Sequence, residues 1–249
     1  MDTHLTRLLV QFGPALLMLA VWEGAGRAAH SRLFPPFTAV LDVLMTEAQS
    51  GRLGAQLGIT LLRVAAAFAV AMVLGCALGI AMGRLRVLDR LLDSALTVLL
   101  NLPALVSIVL IYVWFGLSEY TVIAAVALNK LPSTAVVLRQ GARTLDPALL
   151  DMAISFRMPR WSILRHVVAP QLYPYLFGAA RSGLALIWKI VLVAELLGRS
   201  DGVGFQIGVY FQLFDVAGIL AYTLAFIAVV QALEWLVLQP LERRASRWR

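Results

Sequence analysis

Six stretches of this chain are apolar for long enough to cross a lipid bilayer, and no other feature limits its fold so tightly. The runs fall at about 9–28, 57–83, 91–116, 118–138, 173–197 and 215–238, against the roughly 20 residues that span a hydrocarbon core. Inside lipid a backbone must satisfy its own polar groups, so each run is read as a helix. Of the 249 residues 61% are hydrophobic and 14% charged, whereas about 25% are charged in soluble domains. The reading is therefore an all-α integral membrane protein of about six transmembrane helices, one domain over 1–249 with its core at 57–238. Residues 8–21 run on through Trp22 and Glu23 without a small-residue cleavage pattern, so the first run is expected to stay as span one. The single cysteine, Cys76, excludes a disulfide framework and reads as a small packing residue.

Orientation follows from where arginine falls, because basic residues in short loops stay on the cytoplasmic side. With the N-terminus inside, the inner segments hold Arg7, Arg84, Arg86, Arg90, Arg139, Arg143, Arg157, Arg160, Arg165, Arg243, Arg244, Arg247 and Arg249. The outer segments hold only Arg27, Arg32, Arg52 and Arg199. Both termini are expected to be cytoplasmic. The net charge of +7 is thus a topology signal rather than a nucleic-acid patch.

Between spans four and five lies an Arg-rich amphipathic island, residues 144–172. Asp146-Pro147 reads as a cap followed by a first-turn proline. Leu149, Leu150, Ala153 and Ile154 form an apolar stripe, Pro159 stops the first helix, and a second runs through Trp161, Ile163, Leu164 and Val167. Pro170 and Pro174 mark the start of span five. One reading of the island is a helix lying on lipid headgroups; the other is a handle for a partner that supplies energy. On the outer side, Pro35-Pro36 is a rigid lead-in to a short amphipathic helix ending near Glu47. The glycines of 198–205 lack the strand-loop-helix setting of a phosphate cradle and serve turns and close approach.

The island resembles the cytoplasmic signature of permease subunits of ATP-binding-cassette importers, Glu-Ala-Ala, three residues, Gly, nine residues, Ile-x-Leu-Pro. Asp151-Met152-Ala153 takes the first place, Arg157 the glycine place, Val167 the isoleucine place and Ala169-Pro170 the end. Met152, Arg157 and Ala169 depart from the pattern. Pro35, Thr60-Leu61-Leu62-Arg63, Trp188-Lys189, Ala194-Glu195 and Gly202-Val203-Gly204 are similar to the nitrate, sulfonate and taurine branch, over about residues 30–240.

The resemblance implies a MetI-like importer permease fold in the bacterial cytoplasmic (inner) membrane, with 57–238 as the core transport region and 145–170 as a cytoplasmic coupling segment. It further implies a second copy of the chain, a cytoplasmic ATPase carrying ATP and Mg, and an extracytoplasmic substrate-binding protein. The coupling residues are then Asp151, Met152, Ala153, Ser155, Phe156, Arg157, Pro159 and Arg160. No cofactor or metal is expected on this chain itself. Neither lysine, Lys130 or Lys189, follows a glycine, so there is no P-loop.

Charges inside spans cost about 2.5–3.5 kcal/mol each at a helix centre and face a partner or a watery path. Lys130, beside Asn129 and before Leu131-Pro132, and Lys189, beside Trp188 and six residues before Glu195, are candidates to line a path for a small anion. The competing reading pairs either lysine with Glu195 or Glu234. Asn101-Leu102-Pro103 interrupts span three, which places Asn101 with Asn129, Lys130, Trp188, Lys189 and Glu195 as path residues. Arg63 is expected to snorkel to an outer salt bridge or a binding-protein contact. Glu23 and Arg27 form a local pair, and Arg181 stands by a headgroup phosphate. Gly75, Gly79 and Gly83 form a ridge for close helix packing, within the chain or across a dimer.

Two other classes fit less well. A gradient-driven secondary transporter would show two related halves, and none is found between 1–120 and 121–249. A membrane enzyme built on Ser118 lacks a base, because His4, His30 and His166 all fall outside the spans. Three histidines and one cysteine offer no metal-ligand cluster.

Overall fold

The computed structural model describes residues 2–238, and within them the side chains of 13, 14 and 16–236. All described regular structure is helical: α1 (Asp2–Ala29), α2 (Phe37–Gln49), α3 (Arg52–Arg84), α4 (Arg86–Asn101), α5 (Ala104–Phe115), α6 (Glu119–Arg143), α7 (Pro147–Ser155), α8 (Arg160–Ile163), α9 (Ala169–Gly198), α10 (Val203–Gln212) and α11 (Val216–Leu233).

Among the described residues four helical stretches are long and apolar enough to cross a membrane: α3, α6, the continuous run Arg160–Gly198, and Val216–Leu236. The third run, read as one span over 91–116, is a pair instead. Helices α4 and α5 meet at 103° across Leu102-Pro103, because Pro103 has no N–H and holds the residue before it extended. Arg243, Arg244, Arg247 and Arg249, on which the inner C-terminus rests, lie outside the described residues, as does the side chain of Arg7.

Helices α3 and α6 run in the same direction and form the closest seam of the fold. A Cβ on Gly75 would come within 2.7 Å of Thr134 Cβ, one on Gly83 within 2.6 Å of Ala142 Cβ, and one on Gly79 would strike the Ala135 carbonyl oxygen. The small-residue ridge is therefore used within the chain. Helix α9 runs back against both: Gly141 of α6 receives the ring of Tyr175, and Gly183 of α9 receives the Lys130 side chain. Ile108, Val122, Ala125, Val126, Ile187, Val191 and Ala194 make the dry centre. Helix α11 closes the far side through Tyr222, which donates to buried Glu47 at 2.8 Å, and Glu47 in turn pairs with Arg52 at 2.7 Å.

The island after span four departs from the expected two short helices. Helix α7 is separate, but α8 runs through a wide turn at Leu164–Val168 straight into α9. The Ala169 N–H reaches back five residues to Leu164 O. Such a turn shifts the hydrogen-bond register, here just before Pro170 and Pro174, neither of which has an N–H to give. The prolines thus lie inside the helix rather than before it.

At the start of the chain, Glu23 does more than pair with Arg27 (2.6 Å). Its carboxylate also accepts the N–H and hydroxyl of Thr38, both at 3.0 Å. Pro36 offers α2 no side-chain cap, so a carboxylate from α1 takes that place.

Candidate functional site

Helix α7 is a small ledge pinned at its start. The Asp146 side chain accepts the Ala148 N–H at 2.8 Å and Pro147 fills the first turn, as the sequence led one to expect. Its own N–H is held by Gln171 at 2.8 Å, and the Thr144 and Tyr175 hydroxyls meet at 2.9 Å. The ledge is thereby tied to α6 and α9 together.

The far end of α7 explains the departure at the glycine place. Met158 N–H bonds Ala153 O at 3.0 Å and Arg157 N–H bonds Ile154 O at 2.9 Å, the paired bonds of a helix terminus whose next residue is left-handed. Arg157 is that residue, with φ 50°. A non-glycine residue there costs about 1 kcal/mol or somewhat more. Arg157→Gly is accordingly expected to slow amide exchange across α7 by roughly fivefold, the equivalent of about 1 kcal/mol; an unchanged rate would show that the terminus carries no strain.

Of the expected stripe, only Ala153 is fully buried. Leu149 and Ile154 face outward, and so do Met152, Phe156 (76% exposed) and Trp161. Asp151, Ser155, Pro159 and Arg160 are also exposed, Ser155 donating to the Asp151 carbonyl at 2.9 Å and Pro159 capping α8. A nine-residue helix that buries one alanine and shows its large apolar side chains is shaped for a partner rather than for its own core.

The six path residues do not converge in this chain. Asn129 donates to Ser107 Oγ at 2.7 Å and joins α5 to α6. Lys130, one residue and 100° further round the helix, is 2% exposed and gives its ammonium to Ser133 at 2.9 Å, between Gly183 and Phe68. Trp188 is half-buried, edge-on to Phe226 at 6.0 Å. Lys189 lies on the exposed face of α9, and Asn101 is exposed at the end of α4, bonded to Thr97 O. Neither lysine pairs with Glu195 or Glu234 within this chain; Glu234 stands 4.0 Å from Arg181.

Glu195 belongs to a different group, at the end of the bundle away from α7. It is fully buried and accepts from the Thr60 hydroxyl, Arg63 Nη1 and the Gly204 N–H, each at 2.9 Å. The outer salt bridge expected of Arg63 is present, in its contacts with the partly exposed carboxylates of Glu119 and Asp201 and with the Asp201 carbonyl at 2.9 Å, although Arg63 itself is only 3% exposed. Arg199 joins through Glu119 at 2.5 Å. Gly202 and Gly204 make this possible. A Cβ on Gly202, which sits at φ 99°, would strike the Glu195 carboxylate, and one on Gly204 would strike Leu192 O. Glu195 is thus the anion seated at the start of α10. Thr60, Arg63, Glu195 and Gly202-Val203-Gly204 appear in the sequence as separate landmarks; Glu119, Asp201 and Arg199 were missed, although all three sit at span ends on the side of Arg63.

The chain thus forms a polytopic helical body with an apolar ledge at one end and an ion cluster at the other. Residues 71–239 match the family described as binding-protein-dependent transport system inner membrane component, and the chain belongs to it. It is 31% identical to SsuC of Escherichia coli, named as an aliphatic sulfonates transport permease, over 100% of this chain and 96% of the relative. It is also 31% identical to RibX of Chloroflexus aurantiacus, a riboflavin transport system permease, over 94% and 87%. The fold is shared with the methionine ABC transporter MetNI in an inward-facing crystal form, with TM-score 0.64, 14% identity and coverage of 82% of this chain and 98% of that one. The chain is therefore a multi-pass inner-membrane permease subunit of an ABC importer, and the gradient-driven alternative falls away.

Proposed function

We propose that two copies of this chain enclose a path for a small anion of the sulfonate, taurine or nitrate class. In this reading a cytoplasmic ATPase carrying ATP and magnesium grips α7, and an extracytoplasmic binding protein delivers the solute at the opposite end. The observation that carries it is α7 itself, which holds Met152, Ile154 and Phe156 out to solvent while braced against α6 and α9. The orientation is supported by Arg84, Arg86, Arg90, Arg139, Arg143, Arg157, Arg160 and Arg165 at the α7 end, the pattern of a cytoplasmic face.

The anion preference rests on Lys189. It lies mid-way along α9, is exposed, and has no partner among the described residues. A lysine facing lipid at that depth would cost about 2.5–3.5 kcal/mol, whereas one facing a watery path between two copies would keep its hydration and attract anions. The sulfonate name of SsuC agrees with this; the riboflavin name of RibX does not bear on charge in the same way. In the reconstituted transporter, Lys189→Ala is expected to lower uptake of taurine or a short alkanesulfonate at least tenfold while the ATPase stays assembled. Uptake at the normal rate would refute the anion path.

A further inference from the structure

We infer that the chain holds a phospholipid by its phosphate in the cleft between the α1–α2 connection and the α10–α11 turn. The cleft has a volume of about 910 Å³, and Arg27, His30 and Arg32 line one wall, with Leu213, Phe214 and Asp215 on the other. It opens at the end of the bundle away from α7, where the chain places few cations. Of the five arginines there, Arg27 pairs with Glu23, Arg52 with Glu47, Arg63 with Glu195, and Arg199 with Glu119. Arg32 lines the cleft and has no partner among the described residues. Its guanidinium, with Arg27 and His30 beside it, presents the donors that a phosphodiester takes in a forked arrangement.

The surroundings favour a lipid over a soluble anion. Leu213 and Phe214 are 68% and 72% exposed, and Phe34 is 47% exposed nearby in sequence to Arg32. These large apolar groups lie at the ends of α1 and α11, the level where a bilayer passes from headgroup to acyl chain and where aromatic side chains gather. Asp215 is committed to α11, accepting the Gly218 N–H at 3.0 Å. The proposal needs only the membrane setting of the chain, and stands apart from the identity of the transported solute.

The test uses the assembled permease and ATPase complex, stripped of lipid in detergent, and follows its melting. Phosphatidylglycerol is expected to raise the melting temperature by several degrees, millimolar inorganic phosphate is expected to leave it unchanged, and Arg32→Ala should remove at least half of the lipid response. His30→Ala carries the same test if the first variant does not fold. An equal response to inorganic phosphate would mean a soluble-anion site and overturn the lipid. A full lipid response in both variants would overturn the site. Loss of binding-protein capture in Arg32→Ala with the lipid response intact would assign the surface to a protein partner, and likewise overturn the inference.

Discussion

Arg63→Leu is expected to lower the melting temperature of the detergent-solubilised chain by roughly 10 °C, the equivalent of about 3–5 kcal/mol for a subunit of this size. The substitution leaves Glu195, which is fully buried, with only the Thr60 hydroxyl and the Gly204 N–H as partners. It also strands Glu119 and Asp201 beside one another with Arg199 alone to face them. A carboxylate stripped of its counter-ion inside a protein is far less stable than either the pair or an apolar replacement of both. The double variant Arg63→Leu with Glu195→Leu is therefore expected to melt above the single one. Additive losses in the double variant, or an unchanged melting temperature in the single one, would show that the cluster does not hold α3, α6 and α9 together.

The second large effect lies at the other end. Phe156→Asp is expected to weaken retention of the ATPase subunit by roughly 30-fold, about 2 kcal/mol, which is the usual loss at the centre of an interface. Solute-stimulated ATP hydrolysis should fall with it. Phe156 makes little contact with its own chain, so melting should stay at the wild-type value, and Phe156→Leu should keep most of the binding. Ala153 is the poorer probe despite its place in the signature, because it is fully buried and a bulky residue there would lift α7 off its support. An undiminished ATPase complex in Phe156→Asp and Ile154→Asp together would return α7 to the role of a helix resting on lipid.

Much of the architecture was legible because it depends on local pattern. Apolar length located α3, α6, α9 and α11, Asp146-Pro147 located the start of α7, and Asn101-Leu102-Pro103 located the break between α4 and α5. What the pattern did not carry was angle and partnership. A proline announces that a helix stops, but the 103° turn depends on what α4 packs against, namely Arg139 and Arg143, which reach Asp89 and Asp93.

The ion cluster was illegible for a related reason. Arg63 and Glu195 are 132 residues apart, and no periodicity links them. The path residues were grouped by depth alone, yet 129 and 130, or 188 and 189, leave a helix on different faces. Arg157 shows the opposite case: it broke the family pattern as a residue type, while its backbone occupies the left-handed position that the pattern's glycine would take.

The glycine seam between α3 and α6 has a mechanical consequence. Two helices whose backbones touch at Gly75, Gly79 and Gly83 cannot slip past each other by a fraction of a turn, since every intermediate register would drive a carbonyl into a neighbour's chain. A push on the α7 ledge, which is tied to α6, is therefore expected to move α3 and α6 together as one rigid pair.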